Sequence, residues 1–305
     1  MNKRLIPLIF LLIFTLTSCQ VGPSTGKELV AADWYVPDET LTVWALSDTH
    51  IKDEKRIKAF RNAVEDVNEN VPDVDMAINA GDVVHFPTVE SYDLYIEARD
   101  KSYIEEWHEI IGNHDYKTDK GQIFREKLRG GGDVNYTVEK GNILFIFMSN
   151  EDRGKATVIS DETFEWWNDL VIKNQDKIIV TVTHAPLQGS GIIFSAIDER
   201  QITDSKRFRE VLKEYKVDIW LSGHLHVPQE LMDTLVRKKD LNGTVFIQLS
   251  SIRPDLGGIK EPESRVLTFA CGSDKVLVRS RNHERHIFTP GLDKVITLSK
   301  PYECD

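Results

Sequence analysis

The sequence has little of what would assign a class at once. It holds three cysteines in 305 residues, and its 38 Lys and Arg are outnumbered by 49 Asp and Glu, a formal charge of −11. A chain so acidic repels polyanions on average, so extended nucleic acid is disfavoured as a ligand. A small phosphate ester is not, because bound cations can reverse the local field. No low-complexity tract and no internal repeat is present, and a content of 41% hydrophobic and 29% charged residues is ordinary for a globular protein. The apolar run Leu5 to Leu16 falls short of the roughly 20 residues that a membrane-spanning helix needs. The reading therefore depends on motifs.

The N-terminus has a pattern of its own. Lys3 and Arg4 precede the short apolar run, which closes on Leu16-Thr17-Ser18-Cys19. A basic flank and a short apolar stretch describe an export signal. The closing tetrapeptide resembles a bacterial lipobox, and that resemblance implies cleavage before Cys19 and its acylation. Residues 1–18 are then a signal peptide, and the mature chain is anchored to the extracytoplasmic side of a plasma or outer membrane. Residues 19–33, with Gly22-Pro23-Ser24-Thr25-Gly26, read as a flexible tether. If Cys19 carries lipid, Cys271 and Cys304 are left as a pair in an oxidising compartment, where a disulfide would pin the tail to a late strand. No linker interrupts residues 34–305, which form one domain.

Within that domain, short apolar runs alternate with amphipathic stretches. Leu41 to Leu46, Val74 to Asn79, Trp107 to Ile111, Lys177 to Val182 and Val217 to Leu221 are strand-like. Glu54 to Asn70 has helical spacing at Ile57, Phe60, Ala63, Val64 and Val67. Hairpins are predicted around Lys140-Gly141-Asn142 and Gly272-Ser273-Asp274, and helices over Asp161 to Lys173 and Asp204 to Tyr215, each opened by an Asp or Thr cap. The pattern predicts an α/β fold, a layered sandwich of mixed sheets flanked by helices.

Five motifs follow in order: Asp48-Thr49-His50, Gly81-Asp82, Gly112-Asn113-His114-Asp115, Thr183-His184 and Gly223-His224-Leu225-His226. They contain five of the nine histidines. Each lies at the carboxyl end of a predicted strand, where loops of an α/β sheet converge on one crevice. Carboxylate, amide and imidazole donors together suit a pair of metal ions at a hydrolytic site. Glycine before Asp82, Asn113 and His224 permits close approach of backbone to a crowded ion pair.

The ordered set resembles the calcineurin-like metallophosphoesterases over about Asp48 to His226. The resemblance implies two sheets packed in a sandwich and a binuclear centre. Asp48, His50 and His226 would hold one metal, Asn113, His184 and His224 the other, and Asp82 would bridge them. A hydroxide between the metals would attack phosphorus in line with the leaving oxygen. His114 would steady the phosphoryl oxygens or protonate the leaving alkoxide, and Asp115 would orient the His114 ring. The implied function is hydrolysis of small phosphate esters, with phosphodiesters or a broad ester range preferred. Two alternatives stand beside it, a phosphomonoesterase and a catalytically silent surface lipoprotein that binds ligand on the same fold. No obligate protein partner is evident.

Purple acid phosphatases resemble the set but carry Tyr three residues after the bridging Asp and lack His in the first motif. Here His85 and His50 stand instead, which argues against a tyrosinate–ferric site. Mixed nitrogen and oxygen ligation leaves Mn, Fe and Zn open. His85 reads as a loop histidine near the site, and His108, His283 and His286 as structural. Trp166, Trp167, Tyr92, Tyr95, Tyr103 and Trp107 read as core before pocket wall. Gly189-Ser190-Gly191 fits a lid or an ordinary turn equally.

Overall fold

Apolar residues recur on both faces of the central strands, and this dictates the layering. A computed structural model describes residues 39–153, 157–253 and 261–304. The signal peptide and tether expected over residues 1–33 lie outside the described residues. The first sheet comprises β1 (Thr40–Leu46), β2 (Met76–Asn79), β3 (Glu106–Glu109) and four strands from the C-terminal part of the chain. The second comprises β4 (Tyr136–Lys140), β5 (Ile143–Met148), β6 (Ile178–Thr183), β7 (Ile219–Ser222), β8 (Leu235–Lys238) and β9 (Thr244–Gln248). The later strands of the first sheet are β10 (Glu263–Ala270), β11 (Lys275–Asn282), β12 (Ile287–Phe288) and β13 (Lys294–Thr297).

Side chains alternate along each strand. In β1, Val43 and Ala45 enter the core between the sheets, while Trp44 and Leu46 point outward. In β5, Phe145 and Phe147 face the same inner core, while Leu144 and Ile146 face the opposite side. Helices α1 (Glu54–Asn70), α2 (Val89–Arg99) and α3 (Gln122–Arg129) supply Phe60, Tyr92 and Phe124 to the outer face of the first sheet. Helices α4 (Asp161–Lys173) and α5 (Ser205–Glu214) cover the second sheet with Trp167 and Phe208. Coverage on both faces explains why the strands read as continuous apolar runs.

The predicted elements are found, with two changes at caps. Ser160 caps α4, its hydroxyl accepting from Thr163 N–H, and Asp161 occupies the first turn. Asp204 stands at the head of α5 without a side-chain capping bond. The two predicted hairpins form as β4–β5 and β10–β11, both antiparallel. Cys271 and Cys304 are bonded, with Cα atoms 5.5 Å apart. The tail is thus held on the β10–β11 turn, where Gly272 N–H also donates to Tyr302 O at 2.8 Å.

Strand direction places the motifs. β1, β2 and β3 are mutually parallel in one sheet, and β5, β6, β7 and β9 are parallel in the other. The motifs follow β1, β2, β3, β6 and β7, and so emerge at shared carboxyl ends. No described helix is long and apolar enough to cross a membrane.

Candidate metal centre

Beyond the strand ends, backbone bonds continue the pairing and stitch the motif loops together. Asp48 N–H donates to Gly81 O at 3.0 Å, His50 N–H to Asp82 O at 2.9 Å, and Gly223 N–H to His184 O at 2.8 Å. The chain there is contorted. Asp48, His50, Asp82, His224 and His226 all have positive φ, between 45° and 68°, a region that residues with a Cβ seldom adopt and that costs on the order of 1 kcal/mol or more each. These turns, on three of the five motif loops, swing their side chains toward Asn113 and His184 on the other two. Gly223 is required by approach: a Cβ there would lie 1.8 Å from Ser47 Oγ and 2.7 Å from Asp48 Oδ2.

Two donor groups result, and they share Asp82. Asp48, His50, Asp82 and His226 each offer a ligand atom within 4.8 Å of the others, as do Asp82, His184 and His224. His226 Nε2 is 2.9 Å and His50 Nε2 3.5 Å from Asp48 Oδ1. Asp82 Oδ2 lies 3.4 Å from His50 Nε2 and 3.3 Å from His184 Nε2. Asn113 Oδ1 sits 3.1 Å from His184 Nε2, and His184 Nδ1 is 2.8 Å from Ala80 O. All seven residues singled out as ligands are therefore gathered, and all but Asn113 are buried.

The donor set fits cations. His226 Nδ1 is buried without a hydrogen bond, an arrangement that costs free energy unless something else satisfies it. His50 Nε2 and His226 Nε2 face each other at 3.1 Å beside the same carboxylate oxygen, as nitrogens converging on one ion would. Burial alone would raise the Asp82 carboxyl, but the His184 and His50 imidazoles outweigh it and hold Asp82 below the usual carboxylate range. The same holds for Asp48, where His226 outweighs burial. Burial lowers His50 and His224 to about 4, so both imidazoles are neutral and free to ligate. Burial opposes charge on His184 too, yet Asp82 lifts it to about 9. One carboxylate flanked by two sets of nitrogen and oxygen donors suits a pair of divalent ions about 3.5–4 Å apart.

His114 and Asp115 separate. The His114 N–H donates to Asp82 Oδ1 at 2.7 Å, and its ring packs edge-on to His50 with centroids 4.5 Å apart. Asp115 turns the other way. Its carboxylate accepts from the N–H groups of Val83, Val84 and Gly112 and from the Tyr92 hydroxyl, at 2.9–3.1 Å. The expected role of Asp115 in orienting the His114 imidazole is thus corrected: it ties the second and third motif loops together. With burial and the Asp82 charge both raising it, Asp115 reaches about 7. The partners of the His114 ring are Lys117 Nζ, 2.8 Å from Nδ1, and the His85 carbonyl, 3.0 Å from the same nitrogen.

The remaining singled-out residues are mostly structural. Tyr92, Tyr95 and Trp167 are fully buried core. Trp107 Nε1 donates to Ile104 O, and the Tyr103 hydroxyl donates to Val71 O. Ser190 is buried in a turn whose N–H donates to Leu187 O. His108 bonds Glu106, while His283 and His286 both bond Asp66. His85 Nδ1 lies 3.4 Å from His50 Nδ1. Lys117 and the exposed Phe86 were not singled out by sequence. A lysine three residues past His114 was the available signal, and lysine at a surface carries almost none.

Comparison with known proteins agrees with this geometry. The model of the calcineurin-like phosphoesterase family matches residues 41–228. A protein of Arcobacter nitrofigilis described as a probable glycerophosphodiester phosphodiesterase GpdQ is 27% identical over 198 residues, covering 61% of this chain and 72% of that one. The fold resembles the purple acid phosphatase PPD1 of yellow lupin, Lupinus luteus, with a TM-score of 0.59 and 15% identity, covering 87% of this chain and 54% of that one. The chain therefore spans about half the length of the lupin protein. It also resembles GAP50 of Plasmodium, described as the anchor in the inner membrane complex, with a TM-score of 0.56 and 16% identity over 87% and 90% of the two chains.

Proposed function

Because the chain belongs to the calcineurin-like phosphoesterase family, we propose that it is a binuclear metal-dependent hydrolase of phosphate esters that prefers phosphodiesters or a broad ester range. The observation carrying this reading is that Asp82 belongs to both donor groups at once. Asp48, His50 and His226 would hold one ion, and Asn113, His184 and His224 the other, with Asp82 common to both. Ions bound there would supply Lewis acidity toward the phosphoryl group and an activated water at neutral pH. The identity of the ions is open among Mn, Fe and Zn.

The chain's own groups supply the rest. Burial lowers the His114 imidazole, whose ring lies beside His50. From there it would steady a phosphoryl oxygen or, when protonated, pass that proton to the leaving alkoxide. Asp115 holds the loop that fixes His114 N–H on Asp82. The name of the Arcobacter relative supports a diester substrate.

The test uses chelator-treated protein reloaded with Mn²⁺ and assayed on bis(p-nitrophenyl) phosphate and p-nitrophenyl phosphate. Chelator-sensitive diester turnover is expected. Turnover of the monoester alone would move the reading to a phosphomonoesterase. No turnover, with no metal found by elemental analysis, would leave a silent ligand-binding protein.

The same reading includes export and a lipid anchor at Cys19, with the site on the extracytoplasmic side of a membrane. The basic and apolar pattern before Cys19 supports it, as does the Cys271–Cys304 disulfide, a bond that persists in oxidising compartments. Metabolic labelling with a fatty acid, lost in Cys19→Ser, is the expected result. Equal labelling of both proteins would refute it.

A further inference from the structure

One side of the site mouth carries a sign opposite to that of the chain. The protein is acidic overall, at −11, yet Lys52, Arg56 and Lys117 gather around His85, Phe86 and His114, beside the buried His50. Lys117 Nζ lies 2.8 and 3.1 Å from the two ring nitrogens of His114. Arg56 Nη1 reaches His50 O at 3.5 Å. The Phe86 ring, in a residue 45% exposed, is flanked by Lys52 Nζ at 5.6 Å and Lys117 Nζ at 5.8 Å from its centroid.

This grouping lacks the usual compensation. Lys101, Lys127, Lys140 and Lys177 each pair with a carboxylate. Among the described residues, no carboxylate pairs with Lys52, Arg56 or Lys117. Like charges held together beside an uncovered aromatic ring repel one another until an anion arrives, and the ring's face favours the cations that surround it. Lys117 is in contact with the His114 ring, and that ring packs against His50 with centroids 4.5 Å apart. A charged group on the organic part of a bound ester would therefore meet Lys117 beside the phosphoryl.

We propose that Lys117, Lys52 and the Phe86 ring between them form a recognition subsite for a second negatively charged group on the substrate. Phosphodiesters bearing such a group are then preferred over those without it. The inference rests on the hydrolase reading above and names the substrate class of that same site.

Glycerophosphoserine and glycerophosphoethanolamine differ by one carboxylate and so isolate the subsite. With Mn²⁺-loaded full chain, kcat/KM is expected to favour the serine ester about tenfold, as one charge-assisted contact would give. Lys117→Met should shrink that ratio to within about threefold, Lys52→Met should shrink it partly, and Lys117→Arg should keep it. Dissociation constants for both esters, measured by calorimetry on metal-depleted protein, should show the same ratio and the same loss. Equal preference in the wild type, or a Lys117→Met variant slowed equally on both esters, would overturn the subsite. If no metal supports turnover of either ester, the hydrolase reading fails. The calorimetric ratio then decides the subsite alone: a preference lost in Lys117→Met sustains it, and equal affinities end it.

Discussion

Gly112 lies against Asp82 so closely that a Cβ built on it would fall 2.3 Å from both the backbone nitrogen and Oδ1 of Asp82. The glycine of the third motif is therefore part of how the second motif's carboxylate is aimed. Gly112→Ala should push Asp82 away from one or both donor groups while most of the core, which is remote from the added methyl, stays folded. Local overpacking of this kind costs about 1–3 kcal/mol. The expected result is a modest fall in melting temperature with metal content well below two ions per chain and a loss of at least about 100-fold in kcat/KM. Elemental analysis beside a melting curve checks it, and an unchanged metal content would show that Asp82 does not depend on that contact.

Sharing of Asp82 makes two ligand deletions unequal. Its carboxylate lies 3.4 Å from His50 Nε2 and 3.3 Å from His184 Nε2, whereas His184 belongs to one group only. After dialysis, Asp82→Ala should retain close to no metal and His184→Ala about one ion. Both should lose activity by roughly a thousandfold or more, because neither the shared nor the single ion can be spared in a paired clamp. Both should remain folded by circular dichroism. Equal metal content in the two variants would contradict the shared arrangement.

Most of the frame was legible because burial on both faces writes strands as apolar runs. Leu41–Leu46 lies within β1, and Glu54–Asn70 coincides with α1. Several elements that escaped have a diluted signal, although β9, buried throughout, escaped as well. α2 buries Tyr92, Tyr95 and Ala98 at helical spacing, but the intervening charged residues mask it. β8 and β12 are short edge strands with no fully buried residue. At the site, residue type and order were enough to pick out seven donor residues that the fold brings together. They could not give direction. Asp115 follows His114 in sequence, yet adjacent side chains in a tight turn diverge, and only coordinates show the carboxylate facing Val83, Val84 and Gly112. The left-handed backbone at Asp48 and His226 was equally silent, since Asp and His are common in many conformations.

The Cys271–Cys304 bridge should matter for stability and not for chemistry. It closes a separation of 33 residues, for which the chain-entropy argument gives roughly 3–4 kcal/mol. Cys271 N–H donates to Glu39 O at 3.0 Å, so the bridge sits at the start of β1, while the metal centre sits beyond its end. A Cys271→Ser/Cys304→Ser variant is expected to unfold at lower urea concentration than the oxidised wild type, with kcat/KM on bis(p-nitrophenyl) phosphate within about twofold. A variant as stable as the wild type, or one that loses its metals, would count against this separation.

Asp66 supplies the clearest pH dependence. It is fully buried on α1 and accepts from Arg281 Nε at 2.8 Å, from Arg281 Nη2, and from the Nδ1 atoms of His283 and His286 at 2.8 Å each. Burial would raise this carboxyl, but Arg281 and His283 overcome it and hold Asp66 well below the usual range. A carboxyl lowered on folding binds fewer protons in the native state, so its contribution is complete above an unfolded value of about 4 and fades as pH falls below it. Asp66→Asn removes the anion and leaves Arg281 buried without its counter-charge, at a cost of about 3–5 kcal/mol near neutrality. Urea unfolding of the two proteins at several pH values should therefore show a gap that is constant from pH 7 to about 5 and narrows toward pH 3. A gap that stays constant to pH 3, or widens there, would mean that the Asp66 charge is not what holds Arg281, His283 and His286 against α1.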